Sequence, residues 1–131
     1  MAEEVLRQGP PALDEADLQD RRYGISELVD DMREPRNRQE LMASGAMIYN
    51  ELADFYFRVR RGWSGTGKAV LKRMKKVDPA MARRYAEAFD DLFINGQQSK
   101  VIALAEELLA PHGGFLFEGY RRDVPSSWRA R

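Results

Sequence analysis

Apolar residues recur along this chain at three- and four-residue intervals, a spacing that predicts helices separated by short breaks. The first stripe runs Leu18, Ile25, Leu28, Val29 and Met32, with Arg22 in register and Gly24 as its weak point. Asp14 is placed to cap this helix, and Pro35 ends it. The second stripe is the longest. Leu41, Met42, Ile48, Tyr49, Leu52, Phe55, Tyr56 and Val59 share one face over about five turns and mark the spine of a core. Gly45 fills the remaining slot on that face at about 1 kcal/mol of helix propensity relative to Ala, and its missing side chain invites a neighbouring helix. Asp54 and Arg58 are spaced for an i, i+4 pair on the polar side.

A glycine-rich stretch, Arg58 to Lys68, interrupts the pattern. A short basic helix is expected next, with Val70, Leu71, Met74 and Val77 inward and Lys72, Arg73, Lys75 and Lys76 outward or along its edges. Asp78-Pro79 restarts the chain, because Asp caps and Pro suits the first helical position. The following helix carries Met81, Tyr85, Ala88, Phe89, Leu92 and Phe93 and stops near Asn95-Gly96. A last helix carries Val101, Ile102, Ala105, Leu108 and Leu109 and ends at or just before Pro111. The expected fold is therefore all-α: a single domain over 1–131, built as an antiparallel bundle of about five helices. Residues 1–12 read as the end of a linker or preceding segment, and 111–131 as a C-terminal tail. The aromatic run from Phe115 to Tyr120 is too apolar to float in water and is expected to pack back on the bundle, leaving Ser126 to Arg131 loose.

Overall charge says little, since Lys plus Arg and Asp plus Glu are 21 each. The distribution says more. Residues 1–34 are predominantly acidic, whereas from Arg58 through Lys76 every charged residue is Lys or Arg. That polarity serves either an internal contact or an anionic ligand, and a solvated helix face is the plainest account of either run. With no Cys and one His, disulfides, thiol chemistry and the usual structural zinc sites are excluded. No apolar run approaches the roughly 18–20 residues of a membrane span, and the acidic N-terminus lacks the order of a signal peptide. No membrane association and a cytoplasmic location are the expectation.

The glycine-rich stretch nearly spells a phosphate loop. Gly62 and Gly67-Lys68 have the right spacing, but Ala69 stands where a Ser or Thr would hold the metal, and a helical pattern precedes the stretch instead of a strand. Two readings remain open. One is a connector whose glycines supply positive φ and whose Ser64 or Thr66 caps the next helix. The other is an anion site formed by free N–H groups at that helix start with Lys68, Lys72 and Arg73 nearby. Trp63 either lids the bundle's end or stacks on a ring. His112 has no nucleophile or second ligand near it in sequence and reads as a turn residue. Asp30-Asp31 and Asp90-Asp91 diverge by about a hundred degrees on a helix and read as solvated faces.

Several segments together resemble a known family. These are Gly9-Pro10-Pro11; Asp20-Arg21-Arg22-Tyr23 leading into Leu28-Val29-Asp30-Asp31-Met32; Arg61 through Lys68; Asp78-Pro79-Ala80; Leu109-Ala110-Pro111-His112-Gly113-Gly114; and Phe117-Glu118-Gly119-Tyr120. The chain resembles the region that follows the catalytic domain in certain bacterial nucleotidyltransferase-domain proteins. The resemblance implies a C-terminal helical accessory domain, similar to the bundles that complete the substrate cleft in antibiotic nucleotidyltransferases. The family's Gly-Ser loop and Asp-x-Asp pair have no counterpart here, so the resemblance implies no catalytic residue and no metal ligand in this chain. By itself the chain is not expected to transfer nucleotides. A catalytic domain in cis or trans would bring Mg-nucleotide, and a small-molecule acceptor is the other implied partner. On this reading Trp63, Gly65, Gly67 and Lys68, with Ser64 in the same loop, face nucleotide or acceptor, and Lys72 and Arg73 neutralise phosphate. The alternative is an interaction bundle whose basic patch meets an acidic protein or a nucleic acid.

Overall fold

The computed structural model describes residues 9–117, so the short N-terminal piece Ala2 to Arg7 and the tail from Glu118 onward lie outside the described residues. Within 9–117 the chain is all-helical: α1 (Glu15–Arg33), α2 (Arg38–Val59), α3 (Ala69–Val77), α4 (Pro79–Asn95) and α5 (Ser99–Leu109), followed by a 3₁₀ turn, Ala110–His112.

Cap chemistry fixes most boundaries. The Asp14 carboxylate accepts the Asp17 amide at 2.8 Å, and Asn37 accepts the Glu40 amide at 2.9 Å. Glu40 reaches back to the Arg36 amide at 3.1 Å, so two otherwise orphaned donors at the start of α2 are satisfied reciprocally. Asp78 accepts from Met81 at 3.0 Å with Pro79 just inside the helix. At the far end Gly96 adopts φ 67°, and its amide and that of Gln97 close on the Leu92 and Asp91 carbonyls. α3 is the exception. Neither Ser64 nor Thr66 caps it; no side chain accepts from its first turn, and the Thr66 and Gly67 carbonyls take the Ala69 and Val70 amides instead.

The helices pack antiparallel, and side-chain bonds record the direction. Along α1 and α2, Arg21 pairs with Asp54. Between α2 and α4, the Tyr56 hydroxyl meets Asp78 at 3.4 Å, the Tyr85 hydroxyl donates to the Tyr49 carbonyl at 2.5 Å, and Arg38 reaches the Phe93 carbonyl at 3.1 Å. Numbers fall on α2 as they rise on α4. The same holds for α4 and α5, where Arg84 clasps Glu107 and Lys100 lies 3.9 Å from Asp91.

α2 is the spine, and it buries more than one stripe. Leu52, Ala53, Phe55, Tyr56 and Phe57 are all buried, so its C-terminal half is enclosed nearly all round. Each large side chain so buried contributes roughly 1.5–3 kcal/mol relative to exposure. Gly45 explains how α4 comes so near. A Cβ built there would lie 2.6 Å from Leu92 Cδ2 and 3.2 Å from Phe93 Cε1. Tyr49, Tyr85 and Phe89 fill the seam with edge-on rings whose centroids are 5.0–5.6 Å apart for the pairs involving Tyr49.

Two expectations fail on α2 and α3. Asp54 does not pair with Arg58; it is taken by Arg21, and Arg58 turns to the Pro11 carbonyl at 3.3 Å. Val77, placed inward by periodicity, is exposed, because α3 has one buried edge carrying Val70 and Met74 and ends one residue after Lys76.

The start of the tail does pack back. The buried Arg22 donates through Nε to the Gly114 carbonyl at 2.9 Å, and the Leu116 amide donates to Ser26 Oγ at 2.9 Å. Gly113 is required here: φ is 109°, and a Cβ would stand 2.6 Å from the Arg22 guanidinium. Phe115 rests against the core with Arg33 above its ring, 5.9 Å from the centroid.

Candidate functional site: a basic cleft beside Trp63

The loop between α2 and α3 begins with a tight reversal. Arg61 takes φ 57°, unusual for a residue with a side chain, and the Gly62 amide returns to the Phe57 carbonyl at 2.7 Å. This turn swings Trp63 over the end of α2, beside the first two turns of α3. Between them lies an open cleft of about 450 Å³ lined by Phe57, Trp63, Lys72, Arg73, Lys76 and Val77, among others. Phe57, Trp63 and Val77 supply apolar surface; Lys72, Arg73 and Lys76 supply charge.

The three cations share one side of α3 because Lys76 lies one turn on from both, four residues after Lys72 and three after Arg73. None forms an ion pair with a carboxylate among the described residues. Arg73 is seated by Gly65. A Cβ there would lie 2.7 Å from Arg73 Cδ and 3.1 Å from its Nε, so the absent side chain is what lets the arginine fold against the loop. The Trp63 indole N–H is buried and has no hydrogen-bond partner, an arrangement that typically costs about 1–3 kcal/mol. Buried polar groups left unpaired are rare, and here one sits in the wall of the cleft.

The residues singled out in the sequence separate into two groups. Trp63, Lys72 and Arg73 converge on the cleft, with Gly65 as the seat. Ser64, Gly67 and Lys68 do not line it. The Ser64 hydroxyl turns away and donates to Asp54, and the Gly67 amide is held by Asn50 Oδ1 at 2.8 Å. Lys68 is exposed on the approach to α3. At this helix start the Gly67, Ala69 and Val70 amides are engaged internally, so the side-chain cations are the main groups available to an anion. Gly67 supplies positive φ (55°), as a connector requires, whereas Gly62 and Gly65 do not. Phe57 and Lys76 were not singled out as site residues. The i, i+4 relation of Lys76 to Lys72 was visible, but the inward turn of Phe57 depends on how the loop doubles back.

A second groove lies across the loop, about 390 Å³ in volume, lined by Asp20, Arg21, Gly24, Asn50, Glu51, Asp54 and Thr66 with Ile25. Burial raises the Glu51 carboxyl pKa against the opposing pull of Arg21, and burial together with the nearby Arg58 charge lowers that of Arg21. His112 is half-buried with its ring edge-on to Phe55 at 5.4 Å, a packing role. No group of three or more His, Asp or Glu side chains suited to a metal occurs among the described residues. Nor is any described helix long and apolar enough to cross a membrane.

Comparison with protein-family models, curated proteins and solved structures returned no match. The class the fold and cleft define is an all-α bundle with one basic, aromatic-walled cleft.

Proposed function

We propose that this bundle is a substrate-binding accessory domain that holds a phosphate-bearing ligand in the Trp63 cleft, with nucleotidyl-transfer chemistry supplied by a catalytic domain in cis or trans. The observation that carries the reading is the convergence of Lys72, Arg73 and Lys76, without carboxylate partners among the described residues, on a wall made by Trp63 and Phe57. Cations facing an apolar, aromatic surface match a ligand that carries both a ring and negative charge. The sequence resemblance supplies the link to nucleotidyl transfer: a nucleotide or a phosphorylated acceptor has this chemistry.

The test is an amide-resolved NMR titration of the chain with Mg-ATP and Mg-GTP. Shifts confined to residues 57–77, weakened about tenfold by Arg73→Ala but not by Lys100→Ala on α5, are expected, tenfold being about 1.4 kcal/mol. Equal weakening by both substitutions, or no shift at millimolar nucleotide, would sink the reading. The alternative is single-stranded nucleic acid, favoured by the way exposed Lys68 and Lys75 extend the basic edge of α3 beyond the cleft. It would show instead as a log affinity that falls linearly with log salt, steeply enough to count several phosphates.

A further inference from the structure

The wall of the cleft is held from behind. Asn50 and Asp54 lie one turn apart on α2 and face the loop: Asn50 takes the Gly67 amide, and one Asp54 oxygen takes the Ser64 hydroxyl. The other Asp54 oxygen takes Arg21 of α1. One carboxylate thereby ties α1, α2 and the loop together. Ser64 stands between Trp63, the aromatic wall, and Gly65, the seat of Arg73. Backbone bonds hold the loop's two ends, from the Gly62 amide to the Phe57 carbonyl and from the Ala69 and Val70 amides to the Thr66 and Gly67 carbonyls, while Thr66, Gly67 and Lys68 are exposed and the Trp63 N–H is unpartnered.

We infer that Asp54 is the positioning residue of the Trp63 cleft: through Ser64 it sets the ring and the arginine seat while lying on the opposite side of the loop from the cleft. This rests on the cleft being an anion site. A charge-assisted acceptor shared by a hydroxyl and a guanidinium is stronger than either neutral bond. Released from it, the loop would be free to open locally while the five-helix core stays folded.

The test reads Trp63 fluorescence in the full chain carrying Trp128→Phe, so that Trp63 alone reports. Acrylamide, a neutral quencher, measures access to the ring, and iodide measures the potential around it. Asp54→Ala and Ser64→Ala should each raise acrylamide quenching about two-fold with the helical circular dichroism retained. Asp54→Asn keeps an acceptor for Ser64 but loses the charge and the Arg21 pair, and should fall between the parent and Asp54→Ala. A purely structural role would lower the unfolding midpoint and leave quenching where it was. Unchanged acrylamide quenching in both alanine variants would overturn the inference, and should Asp54→Ala not fold, Ser64→Ala decides alone. In the parent, quenching by iodide beyond that by acrylamide supports the anion site. Its absence would overturn that reading, with acrylamide still judging the brace.

Discussion

The α2–α4 seam and the cleft beside α3 sit at opposite extremes of one small fold. In the seam the large groups are matched: Gly45 admits Leu92, the Tyr49 ring meets those of Tyr85 and Phe89 edge-on, and the Tyr85 hydroxyl finds the Tyr49 carbonyl. In the cleft little is matched. Three cations form no ion pair among the described residues, an indole N–H goes unpaired, and the turn that leads into the wall holds Arg61 in a left-handed backbone. The difference separates where stability resides from where a ligand would be rewarded. Close-packed interiors leave nothing for a partner to satisfy, whereas unpaired charge over an aromatic wall does.

The comparison breaks most readily at Tyr85. Tyr85→Ala should cost about 3–5 kcal/mol in urea unfolding, because it empties the middle of the seam. A loss under about 1 kcal/mol would place the core elsewhere. The same residue gives a pH signature. Burial pushes its phenol well above the ordinary tyrosine value, so the fold favours the neutral form. The Tyr85 contribution is thus complete below the unfolded-state pKa of about 10 and is lost as pH rises beyond it. Tyr85→Phe should flatten that alkaline loss.

A middle-sized effect is expected at Arg22, which belongs to neither region. Arg22→Ala removes a buried cation bonded to the Gly114 carbonyl and should cost about 1.5–3 kcal/mol. It should also speed hydrogen exchange at the Leu116 amide. Slow exchange there in the variant would mean that Ser26 alone holds the segment. The smallest stability effect belongs to the cleft. Lys76→Glu should shift unfolding by no more than about 0.5 kcal/mol, because the side chain is exposed and unpaired, while anion affinity falls sharply. A large loss of stability would show that the cleft, like the seam, serves the fold.

Much of this was legible in the sequence. Helical spacing placed α1, α2, α4 and α5, and local capping chemistry at Asp14, Asp78 and Gly96 marked the start of α1 and both ends of α4, because both depend on residues within a turn of one another. Arg22 in the apolar stripe and Gly45 opposite a neighbouring helix were also visible. Contacts across tens of residues were decided only by tertiary structure. Asp54 had a plausible partner four residues away, yet Arg21 and Ser64 took it when α1 and the loop closed on α2. Val77 fitted the stripe of α3, but the helix ends before a neighbour can cover it. The glycine-rich loop read either as a connector or as an anion site, and tertiary folding gave the Gly67 amide to Asn50 and the Ala69 and Val70 amides to the chain's own carbonyls. A local pattern states which bonds a segment can make; which of them it makes depends on the competitors that folding brings within reach.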